Sequence, residues 1–277
     1  MIVIRKAGEM ASLAEKSPEK SIGFVPTMGA LHKGHLSLVE KSSSENDITV
    51  VSIFVNPTQF NDHKDFDRYP REVQEDLELL ESVKVDYLFL PSNTEIYPEK
   101  DEHHYELGEI SYVIEGAFRP GHFNGVASVV KRLFEIVKPH RAYFGLKDFQ
   151  QYRIIKELNK NYNLGVEVIG CDTVRDEDGL ALSSRNKLLS KDEKSLALHL
   201  SKTLKLLSEN SASLGHLELE NLGKNYLTKY PELDLEYLRV VDPESFGPPT
   251  EKSKNGERLA LLAAKIGKVR LLDNMKI

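Results

Sequence analysis

Along the chain, short apolar runs alternate with longer amphipathic stretches, and the alternation persists through the first two thirds of the sequence. Residues 2–4 (IVI) read as a short strand, and 6–17 as a helix with Met10, Leu13 and Ala14 on one face. A strand over 22–25 and a helix over 34–45 follow, then residues 48–55 (ITVVSIFV), a near-continuous apolar run of the kind a parallel strand shows when both faces are covered. The pattern further predicts a helix over 69–82, a strand over 85–90, a loop over 91–98, and a helix over 126–137. After these come a strand over 141–145, a helix from 146 to about 160, and a strand over 166–170.

Strand, helix, strand is a βαβ unit. Its crossover is right-handed, and ligands lie at the carboxyl ends of the strands. The expected fold class is therefore α/β, a Rossmann-like doubly wound parallel sheet over residues 1–174. The polar stretch 172–179 (DTVRDEDG) reads as a linker. Beyond it, helices over 191–209 and 217–230 and strands over 233–241, 258–266 and 269–272 make a smaller α+β domain, 175–277, expected to act as a lid.

Composition narrows the classes. The chain of 277 residues is 40% hydrophobic and carries a net charge of −6 with both signs well mixed. Such a charge gives no long-range attraction for a polyanion, so no nucleic-acid partner is expected, and an anionic substrate must be held by a local cluster of donors. No apolar run has the length of a membrane span and the N-terminus is charged too early for a signal peptide, so no membrane partner and a cytoplasmic location are expected. The single cysteine, Cys171, excludes an intramolecular disulfide, and no basic neighbour activates it.

The chemistry concentrates in FVPTMGALHKGHLSL, residues 24–38, where a strand runs through a glycine turn into a helix with His32 and His35 at its start. Helix N-termini present N–H groups that favour anions, so two further N–H donors three residues apart suit a polyphosphate. Gly29 and Gly34 have the spacing of a P-loop, but His35-Leu36 stand where that motif needs Lys and Ser or Thr, which excludes it. A zinc pair lacks a third ligand nearby. Two surface histidines in a turn is the plain alternative.

Four more stretches stand out. Residues 56–61 (NPTQFN) follow the second parallel strand and offer neutral amides suited to hydroxyl and carboxylate groups. Residues 115–125 (EGAFRPGHFNG) are glycine-dense before a helix, which suits close approach of backbone to a ligand. In FGLKDFQQ, residues 144–151, Lys147 sits at a helix start, where a cation is unfavourable for the dipole. Ser183, Ser184 and Arg185 place two hydroxyls beside a guanidinium, a compact phosphate clamp. His103 and His104 lie among acidic residues and read as an exposed edge.

H-x-G-H after a first strand resembles the HIGH signature of the nucleotidyltransferase superfamily. The longer string PTMGALHKGHLSLV resembles the pantothenate synthetase (pantoate–beta-alanine ligase) family, and so do NPTQF, the EGxxRPGHFxGV pattern, FGLKDFQQ and DGLALSSRN. The matches run from Phe24 to about Leu189, with a weaker one at Leu271-Leu272-Asp273-Asn274. Lys33 and Leu146 fill variable positions, and Leu188 stands where many relatives have Tyr.

The resemblance implies an AMP-forming ligase that joins pantoate to β-alanine through a pantoyl adenylate, with ATP as substrate, Mg2+ carried by its phosphates, and a homodimer. It implies catalytic roles for His35, His32, Lys147 and Arg185. ATP contacts would come from Met28, Gly29, Ala30, Leu31, His32, Lys33, Gly34 and His35, from Gly145, Leu146, Lys147 and Asp148, and from Val174, Leu182, Ser183, Ser184 and Arg185. Gln59 and Gln151 would hold pantoate. A nucleotidyltransferase acting on a phosphorylated acceptor would want extra Arg or Lys near the second strand end, where Asn56 and Gln59 are neutral. A non-catalytic nucleotide-binding module is the remaining alternative.

Overall fold

The computed structural model describes residues 1–61, 63–250 and 257–277. The chain forms two compact units: residues 1–146 with 150–172, and residues 147–149 with 173–277.

The first unit is built on a parallel sheet of β1 (Ile2–Ile4), β2 (Ile22–Thr27), β3 (Ile48–Ile53), β4 (Tyr87–Phe89), β5 (Arg141–Gly145) and β6 (Glu167–Cys171), in the order β1-β4-β3-β2-β5-β6. All five neighbouring pairs are parallel. From β2 the chain winds one way through β3 and β4 and then returns to place β5 on β2's other side. The strand order thus reverses between β2 and β5, where open α/β sheets take their ligands.

Its helices are α1 (Ala7–Lys16), α2 (Lys33–Glu45), α3 (His63–Arg68), α4 (Val73–Glu81), α5 (Asn93–Ile96), α6 (Glu115–Phe118), α7 (His122–Val137) and α8 (Phe149–Asn161). Every residue of β3 is buried, as its near-continuous apolar run suits a strand covered on both faces. On one face Val25, Val51, Leu88 and Tyr143 pack with Leu38 and Val39 of α2 and Leu80 of α4. On the other, Phe24 meets Phe134 of α7 edge-on at 6.4 Å, and Phe134 meets Phe144. The alternate side chains Phe24 and Val25 therefore serve opposite layers, which is the doubly wound arrangement.

The second unit carries an antiparallel sheet, β7 (Leu233–Val241), β8 (Leu259–Ile266) and β9 (Val269–Lys276), in that order. Helices α9 (Lys191–Asn210) and α10 (His216–Leu227) cover it through Leu200, Leu204, Leu207 and Leu219, packed on Leu238, Leu262 and Ile266. A capping box at Ser190 and Glu193 starts α9.

Several element boundaries differ from the sequence pattern. The helix expected over 69–82 is α4 alone; α3 ends at Arg68, and Pro70 blocks continuation because it lacks an N–H and disfavours helical backbone before it. The loop expected over 91–98 contains the short α5. Helix α7 starts at His122, so Gly125 lies inside a helix and not before one. Residues 146–148 form a 3-10 turn, and the regular helix begins only at Phe149. The stretch 172–179 is no loose linker: Arg175 bridges Ala181, and Asp176 Oδ1 accepts from the Leu180 N–H at 2.8 Å to close a hairpin turn.

Candidate active site

Between β2 and α2 the chain turns with two successive positive φ angles, 81° at Gly29 and 51° at Ala30. Glycine adopts this freely, whereas the alanine Cβ crowds the next carbonyl at about 1–2 kcal/mol. Asp76 of α4, 1% exposed, holds the turn from behind. Its two oxygens accept the Ala30 N–H at 2.9 Å and the Leu31 N–H at 2.6 Å.

His32 caps α2, its Nδ1 accepting from the Gly34 N–H at 3.1 Å. A ring nitrogen that accepts carries no proton, so the neutral ring has its proton on Nε2. His35 lies one turn on, its ring centroid 4.1 Å from that of His32. Several backbone N–H groups of this turn are committed inside the protein. The N–H groups of Ala30, Leu31, Gly34 and His35 are all bonded within the protein, so these four are not open to an anion, whereas the imidazole N–H groups are donors the turn adds. Lys33 is exposed on the first turn of α2.

After β3, residues 57–59 form a 3-10 turn with Pro57 in its first position and Asn56 as cap. Asn56 is 1% exposed and committed inward. Its Oδ1 accepts from Tyr97 Oη at 3.0 Å and Thr58 Oγ1 at 3.0 Å, while its Nδ2 donates to the Gly125 carbonyl at 3.0 Å and to Gln59 Oε1 at 3.3 Å. Burial pushes the Tyr97 hydroxyl pKa up and keeps it a donor. Asn56 is therefore a scaffold for Gln59, where its residue type alone had suggested a substrate contact. Gln59 Nε2 in turn donates to Met28 Sδ at 2.8 Å, which fixes the amide orientation and ties this loop to the histidine turn. An amide has two donors and two acceptor lone pairs, and these contacts engage one of each.

The Gln59 backbone is anchored as firmly. Its carbonyl accepts from His122 Nδ1 at 2.8 Å and from the Arg119 guanidinium at 3.1 Å. Arg119 also reaches His122 Nε2 at 3.2 Å and Glu115 Oε1 at 3.4 Å. Because Nδ1 donates to a carbonyl, Nε2 is the acceptor for Arg119, and His122 is a neutral ring of defined tautomer. The EGAFRPGHFNG string thus forms a buried polar brace behind Gln59.

Gly145 and Leu146 follow at the carboxyl end of β5, the strand that neighbours β2 at the sheet's switch point. Gln151 is half-buried on α8. Its neighbour Gln150 is structural, donating to the carbonyls of Ile110 at 2.7 Å and Val113 at 2.8 Å. Cys171 is buried at the end of β6, and that burial pushes its thiol up to about 11.

In the second unit, Lys147 Nζ lies 3.6 Å from Asp148 Oδ1, and its carbonyl accepts from Asn274 Nδ2 at 2.6 Å. Ser183 Oγ caps the 3-10 turn of Ser184–Leu188 by accepting the Arg185 N–H at 3.3 Å. Ser184 is buried, Val174, Leu182 and Arg185 are half-buried, and Leu188 is exposed. A bidentate pair braces the hairpin before them: Arg175 binds Asp273 at 2.6 and 2.9 Å. Asp273 and Asn274, the weakest of the sequence matches, thereby gain physical roles in this unit.

Sequence reading missed Asp76 and, although it singled out the stretches that contain them, gave Arg119, His122 and Asp273 no individual role. For Asp76 a signal existed, because a carboxylate at position 76 shares the inward stripe of α4 with Leu80. Among the described residues no cluster of three or more His, Cys, Asp or Glu could hold a metal, and no helix is long and apolar enough to cross a membrane.

Comparison with known proteins gives one answer. The profile of the pantoate-beta-alanine ligase family matches residues 2–276. Pantothenate synthetase from Pseudothermotoga lettingae is 46% identical over 99% of this chain and 98% of its own, and that from Bacteroides fragilis 47% identical over 94% and 93%. Among solved structures, pantothenate synthetase from Thermus thermophilus superimposes with a TM-score of 0.92 at 41% identity, covering 99% of both chains. Pantoate-beta-alanine ligase from Francisella tularensis, complexed with beta-gamma ATP and beta-alanine, gives 0.82 at 40% identity, covering 99% of this chain and 97% of its own. The chain belongs to the pantoate-beta-alanine ligase family and is a ligase.

Proposed function

We propose that this member of the pantoate-beta-alanine ligase family makes pantothenate in two steps through a pantoyl adenylate. The pantoate carboxylate attacks the α-phosphorus of ATP and expels pyrophosphate; the β-alanine amine then attacks the acyl carbon and expels AMP. Each nucleophile comes from a substrate, so the protein needs no nucleophile of its own. It supplies position and charge stabilisation.

The observation that carries this reading is the Gln59–Met28 contact at 2.8 Å, which joins a neutral donor–acceptor to the turn bearing His32 and His35. A neutral amide with one donor and one acceptor remaining suits a hydroxy acid, and imidazole N–H groups suit phosphate oxygens. Gln59 and Gln151 take pantoate in this reading. The residues 28–35, 145–148, Val174 and 182–185 take ATP, with His32, His35, Lys147 and Arg185 meeting the charge that develops on the leaving pyrophosphate. Mg2+ keeps most of its waters and is bound mainly through substrate phosphates, so it needs no carboxylate cage from the protein. Mg2+ accordingly enters as part of the ATP substrate, held by phosphates and water. The chain is also proposed to be cytoplasmic, on its sequence pattern, and a homodimer, on the strength of the family alone, and light scattering tests the dimer.

Isotope exchange between pyrophosphate and ATP is the decisive experiment. Exchange that requires pantoate is expected. Exchange without pantoate, or nucleotide binding with none, would overturn the proposal.

A further inference from the structure

A buried carboxylate stands behind the histidine turn, and the two-step reaction makes no use of it. Asp76 occupies the inward face of α4, where Leu80 lies one turn later and is fully buried. An apolar side chain is the default at such a position, and a carboxylate there needs hydrogen-bond partners for its buried oxygens. It has them in the N–H groups of Ala30 and Leu31. A Cβ built on Gly29 would come within 2.9 Å of Asp76 Oδ2, so the carboxylate is seated against both residues of positive φ.

Those two residues lead into the catalytic pair. Leu31 is the last residue before His32, whose ring caps α2 and stands 4.1 Å from that of His35. Fixing the Ala30 and Leu31 N–H groups fixes where the chain enters the helix, and with it the direction of both rings. Sparse backbone conformations persist at functional sites only where their surroundings over-determine them. We propose that Asp76 is a positioning residue for adenylation: its carboxylate locks the left-handed turn that aims His32 and His35. The proposal rests on the reading that these histidines act at the adenylation step.

Asp76→Asn separates positioning from mere stability, because the amide keeps the size but sets an NH2 group against one of the two N–H donors. Single-turnover rates of both half-reactions are measured, the second started from supplied pantoyl adenylate, with active sites titrated. The expected result is a roughly 10²-fold slower adenylation, the scale of misplaced catalytic groups, with the ATP KM changed less than about threefold and the second half-reaction within about threefold of wild type. Asp76→Glu, which retains both acceptors one methylene further out, should lose less and only in the first step. It carries the same test if Asp76→Asn does not fold. Leu80→Ala loosens the same helix without touching the carboxylate and should slow neither step per active site. Equal loss in both half-reactions, or the same first-step loss in Leu80→Ala, overturns the proposal. His35→Ala is run alongside: if it leaves adenylation intact, the underlying reading of the histidines fails, whereas a slow His35→Ala beside a normal Asp76→Asn refutes the role of Asp76 alone.

Discussion

Gly125 of α7 lies so close to Thr58 that a Cβ placed on it would stand 2.4 Å from the Thr58 carbonyl oxygen and 2.8 Å from Gln59 Cα. The obstacle is backbone on both sides, so neither partner can yield by rotating a side chain. Gly125→Ala should therefore push the 57–59 turn away from α7, at about 1–3 kcal/mol, the usual cost of overpacking. Thermal unfolding measures that loss. The displaced Gln59 should also raise the pantoate KM while the ATP KM stays near wild type.

Replacing the Gln59 amide tests the same loop through its chemistry. Gln59→Ala and Gln151→Ala should each raise the pantoate KM or lower kcat, with nucleotide affinity little changed. Steady-state kinetics with each substrate varied in turn checks this; an unaltered pantoate dependence in both variants would remove the assignment.

Negative charge builds on the β- and γ-phosphates as pyrophosphate leaves, so donors that meet it should matter in the first step alone. His35→Ala or Lys147→Ala should slow adenylate formation by about 10²–10³, the typical worth of one preorganised donor. Reaction of supplied pantoyl adenylate with β-alanine should suffer far less. A loss below about tenfold in the first step would mean that these residues are not the principal stabilisers.

Cys171 should be chemically quiet and dispensable. Burial raises its thiol pKa to about 11 from an ordinary 9.0, so thiolate at neutral pH is about 10²-fold scarcer than in the unfolded chain. Alkylation by iodoacetamide at pH 8 should be slower in the native protein by about that factor, and Cys171→Ser should retain turnover. The linkage has a definite sign. A raised folded-state pKa stabilises below the unfolded value, and that contribution disappears as pH rises from about 9 toward 11.

The Arg175–Asp273 pair offers a stability test confined to the second unit. Asp273 is 3% exposed and Arg175 somewhat more open, so removing the carboxylate leaves the half-buried guanidinium with, among the described residues, only the Gly179 and Asn274 carbonyls as acceptors. Asp273→Ala should destabilise this unit by about 3 kcal/mol, the lower end for a broken buried pair. Denaturant unfolding followed by hydrogen exchange at the amides of β8 and β9 would resolve it.

The amino-acid sequence alone determined the architecture and most of the candidate residues, because both are written in local patterns. Runs such as ITVVSIFV are of the kind found in strands covered on both faces, and His32-x-x-His35 or Ser183-Ser184-Arg185 are contiguous in the chain. It could not say which polar groups are already bonded to the protein. Asn56 offered an amide suited to a substrate and is bonded inside the protein, and the N–H groups of Ala30 and Leu31, just before the helix start, belong to Asp76. The start of α7 at His122 and the hairpin at 175–181 were likewise invisible, since packing partners decide where local propensity is overruled. Hydrogen-bond satisfaction is a global property. Asp76 meets Leu31 across 45 residues of sequence and Arg175 meets Asp273 across 98, so only the folded chain shows which donors and acceptors are left to meet a substrate.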